Sequence, residues 1–342
     1  MISLCCLGSA QLAQPGAGKG WVLARFKAAL IDPLGRRFDI ESDILAAAGV
    51  DLVAPKCTTD DDVVALARAA DAVLVVTYPI TEAVLAQCPK LRVIVRYGVG
   101  VDNIDLAAAT AHRVMVCNVP DYCIDEVANH TMAMLLALNR RLVQQGTAIR
   151  SNQRAPLAPM GRLRGETLGL IGLGRLAQAV AHRARGFGLK VIAYDPYVAG
   201  AGPQDVQLLP LDEVLAAADY VAVHVPLTRE THGLIGSREF ALMKSTAYIV
   251  TTARGGIISE PALVQALDAG QIAGAGLDVW EQEPVSIDNP LLGYLQVIPT
   301  PHTAYFSNDS ALAIRRRVAE IASEALLGGT PASVINREVL AT

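Results

Sequence analysis

The sequence predicts an α/β protein of two doubly wound parallel-sheet units, the second inserted into the first. Three observations carry this reading. Short apolar runs of strand length alternate with helical stretches along almost the whole chain, as in parallel sheets covered by helices on both faces. A glycine turn of the form G-x-G-x-x-A (Gly172, Gly174, Ala177) follows the apolar run Thr167 to Ile171 and opens a helix. A full series of strands and helices already precedes that turn, so the turn begins a second unit.

Bulk properties narrow the class. Of 342 residues, 52% are hydrophobic and 18% charged, so large buried cores are expected. The net charge is −4 with no basic blocks, and nucleic acid is not an expected partner. No apolar run reaches the ~18 residues needed to cross a membrane. The six cysteines (5, 6, 57, 88, 117, 123) form no zinc-like spacing, so no metal is expected. They read as reduced core residues of a cytoplasmic protein. Residues 1–24 lack periodicity and a signal-peptide pattern, and read as a flexible extension outside the fold.

The first unit begins with a strand at Phe26 to Ile31, a helix at Ile40 to Ala48 and a strand at Val50 to Ala54. Asp60-Asp-Asp opens a helix through Ala69, with acids at the positive end of its dipole. Ala72 to Val76 is the next strand, Thr81 caps a helix to Gln87, and Leu91 to Val95 is a strand. Asp105 caps a helix to Ala111, and Val114 to Cys117 is a strand. Between them, Arg96-Tyr-Gly-Val-Gly-Val-Asp-Asn-Ile-Asp105 leaves a strand's carboxyl end, where open α/β sheets bind ligands. Its two glycines bare N–H groups that could hold a carboxylate, or simply make a turn. Asp102 and Asp105 read as loop and cap residues.

Asp125 to Gln145 predicts one long helix with Ala128, Met132, Leu135, Leu136, Leu138 and Leu142 on its apolar face, and it suits the connection between units. Ser151 to Arg164 reads as irregular. The second unit then starts at the glycine turn. Gly172 permits the tight turn, Gly174 lets the backbone approach a pyrophosphate, and Ala177 packs the helix close to the strand. The helix N-terminus offers its N–H groups to phosphate. After the strand Lys190 to Tyr194, Asp195 can accept from ribose hydroxyls and would repel a 2′-phosphate, so the dinucleotide is NAD. Further strands, Tyr220 to Val223, Ala247 to Thr251, Ala273 to Leu277 and Gln296 to Ile298, alternate with helices over Leu211 to Ala217, Arg238 to Met243 and Glu260 to Ala269. A last helix, Asn308 to Leu327, is expected to pack back on the first unit.

Polar groups stand after these strands. Arg254 can grip a carboxylate at two points. His302 can act as acid or base, and a carboxylate beside it would orient the ring. Glu281 and Glu283 are both placed to be that carboxylate, and composition does not choose between them. His224 suits either the lining of the cofactor site or a structural place, and His130 reads as packed within its helix.

The ordered series Arg96-Tyr-Gly-Val-Gly-Val-Asp-Asn, Asn118-Val-Pro-Asp, Gly172-Leu-Gly-Arg, His224-Val-Pro-Leu-Thr, Thr252-Ala-Arg-Gly-Gly, Gly276-Leu-Asp-Val-Trp-Glu-Gln-Glu-Pro284 and Thr300-Pro-His-Thr-Ala-Tyr-Phe-Ser resembles the D-isomer-specific 2-hydroxyacid dehydrogenases. The resemblance spans nearly everything from residue 25 onward. It lies nearest the branch of C-terminal-binding proteins and phosphoglycerate dehydrogenases, although Tyr305 stands where that branch usually has Trp. It implies a flavodoxin-like substrate domain (25–123 and 304–342) interrupted by a Rossmann NAD-binding domain (124–303), in a homodimer. It implies that Arg254 binds substrate, Glu283 supports the histidine and His302 is the acid/base. Val99 and Gly100 would hold the substrate carboxylate by backbone. Gly172, Gly174, Arg175, Leu176 and Asp195, with Thr131, Pro226, Thr228, Ala253 and Asp278, would line the NAD site. The implied reaction interconverts a 2-keto acid and a D-2-hydroxy acid. Two alternatives stand beside it: an NAD(H)-sensing binding protein, and a D-3-phosphoglycerate dehydrogenase.

The role of Asp195 is testable directly. In a panel of 2-keto acids, NADH is expected to support turnover better than NADPH; a preference for NADPH of about tenfold or more would overturn that role.

Overall fold

A computed structural model describes residues 25–31, 37–55, 57, 59–153, 160–198 and 206–341. The extension expected at 1–24 lies outside the described residues. The first sheet contains β1 (Phe26–Ile31), β2 (Val50–Val53), β3 (Ala72–Val75), β4 (Val93–Arg96) and β5 (Met115–Cys117). All run parallel in the order β2-β1-β3-β4-β5. Intervening helices are α1 (Asp39–Ala47), α2 (Asp60–Arg68), α3 (Glu82–Leu85) and α4 (Leu106–Ala111). One apolar cluster covers each face of this sheet, which is why its central strands are apolar throughout rather than alternating.

Local chemistry explains the helix starts. Asp105 caps α4 by accepting from the Ala108 N–H at 2.9 Å. The cap of α2 is Thr59, in a reciprocal box with Asp62, and the acids expected to open the helix form its first turn. Thr81 precedes α3 without a side-chain cap, and that helix is a single short turn.

The long helix expected over 125–145 is two helices, α5 (Ile124–Asn139) and α6 (Leu142–Arg150). Arg141 is left-handed (φ 50°) and its N–H turns back to Leu138 O at 3.0 Å, which ends α5. The apolar stripe does not continue past the break: Leu142 is 56% exposed.

The second sheet contains β6 (Thr167–Ile171), β7 (Lys190–Tyr194), β8 (Gln207–Leu208), β9 (Tyr220–Val223), β10 (Tyr248–Thr251), β11 (Gly274–Leu277) and β12 (Val297–Pro299). The order is β12-β11-β10-β9-β6-β7-β8, all parallel. The order reverses between β6 and β9, the position at which such sheets place a dinucleotide. The two-residue edge strand β8 carries no periodicity and escapes a sequence reading. Helices α7 (Arg175–Gly186), α8 (Leu211–Ala217), α9 (Ser237–Leu242) and α10 (Glu260–Asp268) connect the strands, and α5 packs on the face that α7 covers.

After β12 the chain returns. The final helix α11 (Asn308–Leu326) lies on α1, β3 and β4 of the first sheet through Ile314, Val318, Ile321 and Ala322. Beyond it, Ile335 N–H donates to Val116 O at 2.8 Å, and Asn336 accepts from Val116 N–H at 2.8 Å, stitching the segment onto β5. Arg315 of α11 grips Glu41 of α1, Nε at 2.9 Å and Nη2 at 2.7 Å, and Tyr97 donates its hydroxyl to the same carboxylate at 3.1 Å. Glu41 is 2% exposed, so its charge depends on these partners. This buried pair anchors the start of the loop that follows β4.

Two outcomes are expected. Arg315→Ala strands the Glu41 carboxylate and lowers the free energy of unfolding by about 3 kcal/mol in urea titrations; a loss under about 1 kcal/mol would show the pair to be dispensable. His224, at the end of β9, has both ring nitrogens shielded and without a partner among the described residues, and burial pushes its pKa from 6.5 down to about 4. The unfolded chain takes up that proton near pH 6.5 and the folded one only near pH 4, so acidification across this window favours unfolding. His224→Gln should make cofactor-free stability less sensitive to pH there, as followed by thermal unfolding; an unchanged pH slope would refute it.

Candidate active site

The loop after β4 is held open by its neighbours. Tyr97 is buried, and Gly98 adopts φ 146° with its N–H on Arg96 O at 2.9 Å. Asn118, just past β5, donates to Val99 O at 2.6 Å, and Val119 N–H donates to Gly98 O at 2.9 Å. Among the described residues, neither the Val99 nor the Gly100 N–H has an acceptor. The loop thus presents two adjacent backbone donors pinned from behind, the arrangement that receives a carboxylate.

Arg254 reaches this loop from the other sheet. It sits in the turn after β10, which packs so closely on Trp280 that a Cβ at Gly255 would lie 1.8 Å from the Trp280 carbonyl oxygen. Its Nε donates to Asp102 Oδ1 at 3.0 Å and its Nη1 to Ala253 O at 2.8 Å. A Cβ at Gly100 would lie 1.9 Å from Nη2, so the guanidinium rests against glycine backbone. The acid taken from the sequence as a loop residue, Asp102, is therefore the partner of the arginine. Burial opposes its ionisation, and the Arg254 charge overcomes that, holding the carboxyl below its ordinary value.

His302 and Glu283 meet, with Nδ1 2.7 Å from Oε2. The other Glu283 oxygen accepts from Trp280 N–H at 3.0 Å. Burial works against the Glu283 charge, but the bond and charge of His302, aided by Arg254, keep its pKa below the usual value. Glu281 faces elsewhere: it accepts from Glu260 N–H at 2.9 Å, and its own N–H returns to Glu260 at 2.7 Å.

His302 is left-handed at φ 54°, an unfavourable conformation for a residue with a side chain. Asp278 explains how it is held. This carboxylate is 1% exposed and accepts from Thr300 Oγ1 at 2.5 Å, Thr303 N–H at 2.9 Å and Ala304 N–H at 2.9 Å. The Asp278 carbonyl takes the His302 N–H at 2.7 Å. His130 bonds Thr300 at 3.0 Å from α5.

The cofactor side lies at the β6–α7 junction. Gly172 has φ 90°, and a Cβ there would meet the His224 main chain at 3.1 Å, so the turn needs glycine. Among the described residues, nothing lies within 4 Å of a Cβ built on Gly174. Gly174 provides no side-chain cap, so the N–H groups of Arg175 and Leu176 open onto that space. Asp195, ending β7, accepts from Leu173 N–H at 2.8 Å and Tyr197 N–H at 2.9 Å, fixing its carboxylate beside the turn. The His224 main chain packs against the same turn. A bare helix N-terminus, an empty approach and an oriented acid fit a dinucleotide.

The other residues expected to line this site are spread around it. Thr131 is fully buried and bridges Val127 O at 2.9 Å and Thr252 Oγ1 at 3.1 Å. The Pro226 carbonyl accepts from Thr231 Oγ1 at 2.6 Å, and Thr228 N–H bonds the same hydroxyl at 2.7 Å. Leu176 joins Val99, Tyr122, Cys123, Ala304 and Tyr305 in a small apolar cluster that ties α7 to the loop after β4. Sequence alone does not single out Asn118, Tyr122 and Asp102 for this site; their proximity to glycine or proline turns is the one local signal they carry.

Comparison with known proteins identifies the family. A family model described as "D-isomer specific 2-hydroxyacid dehydrogenase, NAD binding domain" matches residues 132–304. A glyoxylate reductase from Korarchaeum cryptofilum is 39% identical over 279 residues, covering 78% of this chain and 83% of that protein. A D-3-phosphoglycerate dehydrogenase from Mycobacterium tuberculosis is 40% identical over 280 residues, 81% of this chain; the chain spans only about half (53%) of that relative's length. The solved D-lactate dehydrogenase from Aquifex aeolicus, complexed with NAD and lactic acid, superposes with a TM-score of 0.78 at 28% identity, covering 88% of this chain and 96% of that one. The chain therefore belongs to the D-isomer-specific 2-hydroxyacid dehydrogenases, NAD-dependent oxidoreductases acting on a CH–OH group.

Proposed function

We propose that the chain reduces small 2-keto acids to D-2-hydroxy acids in the cleft between its two sheets. The observation that carries this reading is the pair of His302 with Glu283, set beside Arg254. Arg254 and the Val99 and Gly100 N–H groups hold the substrate carboxylate, and the guanidinium polarises the carbonyl. When bound, NADH supplies the hydride. His302 donates the proton of Nε2, the ring nitrogen not engaged by Glu283, to the carbonyl oxygen as negative charge develops there. Glu283 fixes the tautomer and stabilises the imidazolium that gives up the proton. In the reverse direction the same imidazole is the base.

On this reading residues 25–123 and 304–342 are the substrate domain and 124–303 the NAD-binding domain, a division supported by the return of α11 to the first sheet. We also place the protein in the cytoplasm as a homodimer. The buried cysteines Cys88, Cys117 and Cys123 are free thiols, in keeping with a reducing compartment. Helix α6 buries none of its residues and exposes Leu142, Val143 and Ile149, a surface suited to a second copy. No helix among the described residues is long and apolar enough to cross a membrane.

NADH consumption with glyoxylate, hydroxypyruvate, 3-phosphohydroxypyruvate and larger 2-keto acids tests the reading. His302→Ala is expected to lower kcat by about 10²–10⁴-fold, and full turnover in that variant would sink the mechanism. Nucleotide-dependent assembly with no turnover on any acid would favour a cofactor-sensing protein instead.

A further inference from the structure

Asp102 and Arg254 stand on opposite walls of the cleft, 152 residues apart in the chain. Asp102 belongs to the loop after β4 in the first sheet, and Arg254 to the turn after β10 in the second. An arginine on its own stem can turn its head through many rotamers, and a carboxylate seat needs one. Here the head is held at two points, Nε on Asp102 at 3.0 Å and Nη1 on Ala253 O at 2.8 Å. A guanidinium has five N–H donors, so three remain, two of them on Nη2. Nη2 is also the atom that a Cβ on Gly100 would approach to 1.9 Å, while the Asp102 carboxylate would lie 2.6 Å from the same Cβ. Gly100, Asp102 and the arginine head therefore form one packed unit. The free donors of Arg254 and the free N–H groups of Val99 and Gly100 belong to that unit.

We propose that Asp102 is a positioning residue for the reaction. Its ion pair draws the guanidinium of one wall onto the backbone donors of the other, so that a single carboxylate seat is assembled from both sheets. Asp102 touches no reacting atom; it acts through Arg254. The inference rests on the reading of Arg254 as the carboxylate-binding residue.

A double-mutant cycle separates the two. The full-length wild type, Asp102→Ala, Asp102→Asn, Arg254→Ala and the doubly substituted Asp102→Ala/Arg254→Ala chain are compared with saturating NADH and glyoxylate or pyruvate as substrate. Oxamate, a 2-keto acid mimic that is not reduced, is titrated into each NADH complex by fluorescence. Asp102→Ala should raise KM and the oxamate Kd by about 10–100-fold, change kcat less, and leave NADH affinity unaltered. Asp102→Asn, whose amide oxygen can still accept from Nε, should recover most of the loss. In the Arg254→Ala background, Asp102→Ala should add nothing.

Effects of the two substitutions that multiply would overturn the proposal, and so would an unchanged or lowered KM in Asp102→Ala. If Arg254→Ala raises KM and Asp102→Ala does not, only the positioning role falls. If Arg254→Ala leaves KM and oxamate binding unchanged, the carboxylate reading falls and takes the proposal with it. Should Asp102→Ala fail to unfold cooperatively, Asp102→Asn decides: a drop in NADH affinity as large as that in oxamate affinity would make Asp102 merely structural.

Discussion

The cleft depends on one contact: a cation carried by the second sheet resting on bare backbone carried by the first. Arg254 lies where it does against Gly100 because that position has no Cβ; a side chain there would displace Nη2 from this contact. The requirement is steric on one side and electrostatic on the other, since the guanidinium is met there by Asp102. Much of the surrounding structure serves this meeting. Asn118 and Val119 hold the loop from the edge of β5, and Tyr97 ties its root to Glu41 and thence to α11. Trp280 bounds the turn that carries Arg254. The last helix, far along the chain, is thus part of what fixes a loop near residue 100.

The opposite half of the cleft is organised by a carboxylate that is wholly enclosed. Asp278 accepts three hydrogen bonds from the segment 300–304, and its carbonyl takes a fourth from His302 itself. Those bonds offset the left-handed backbone of His302, a conformation worth avoiding by about 1 kcal/mol or more in a free chain. The strained turn swings the imidazole towards Glu283, while Glu281 stays bound to the start of α10. One buried acid shapes the loop and a second, half-exposed acid orients the ring, so two carboxylates close in sequence have different tasks set by their surroundings.

What was legible in the sequence was what is local. The strand–turn–helix at Gly172, the Asp105 cap and the alternation of elements each depend on residues within a few positions of one another, and both sheets follow from them. The break at Arg141 was hidden because the apolar residues on either side keep a helical spacing across it, although only those before it face a core. The choice of Glu283 over Glu281 needed a family resemblance, since both carry the same group two positions apart. The role of Asp102 is not legible in the sequence because its partner lies in the other sheet; nothing in a loop rich in glycine announces a cation that arrives from so far along the chain. Thr131 and Asp278 show the reverse case, positions marked for a cofactor whose polar atoms in the structure are occupied in joining one segment to another.

The composition of the seat also bears on breadth of substrate. On the proposed reading, backbone N–H groups and a guanidinium would address a carboxylate and the adjacent carbonyl, the atoms common to every 2-keto acid. They do not distinguish the group attached beyond. On the same reading that discrimination would fall to the side chains beside the imidazole, where Tyr305 stands edge-on to His302 with ring centroids 6.3 Å apart and Tyr122 tilts against Tyr305 at 6.4 Å. These rings rest on the apolar cluster of Cys123, Val127 and Ala304, which also receives Leu176 from the cofactor helix. A change of side chain in that wall alters the space beside the imidazole while leaving Gly100, Arg254 and Asp102 untouched. On the proposed reading, the atoms common to 2-keto acids meet a glycine backbone and a guanidinium packed against it, and the group beyond them meets side chains that can change without touching that contact.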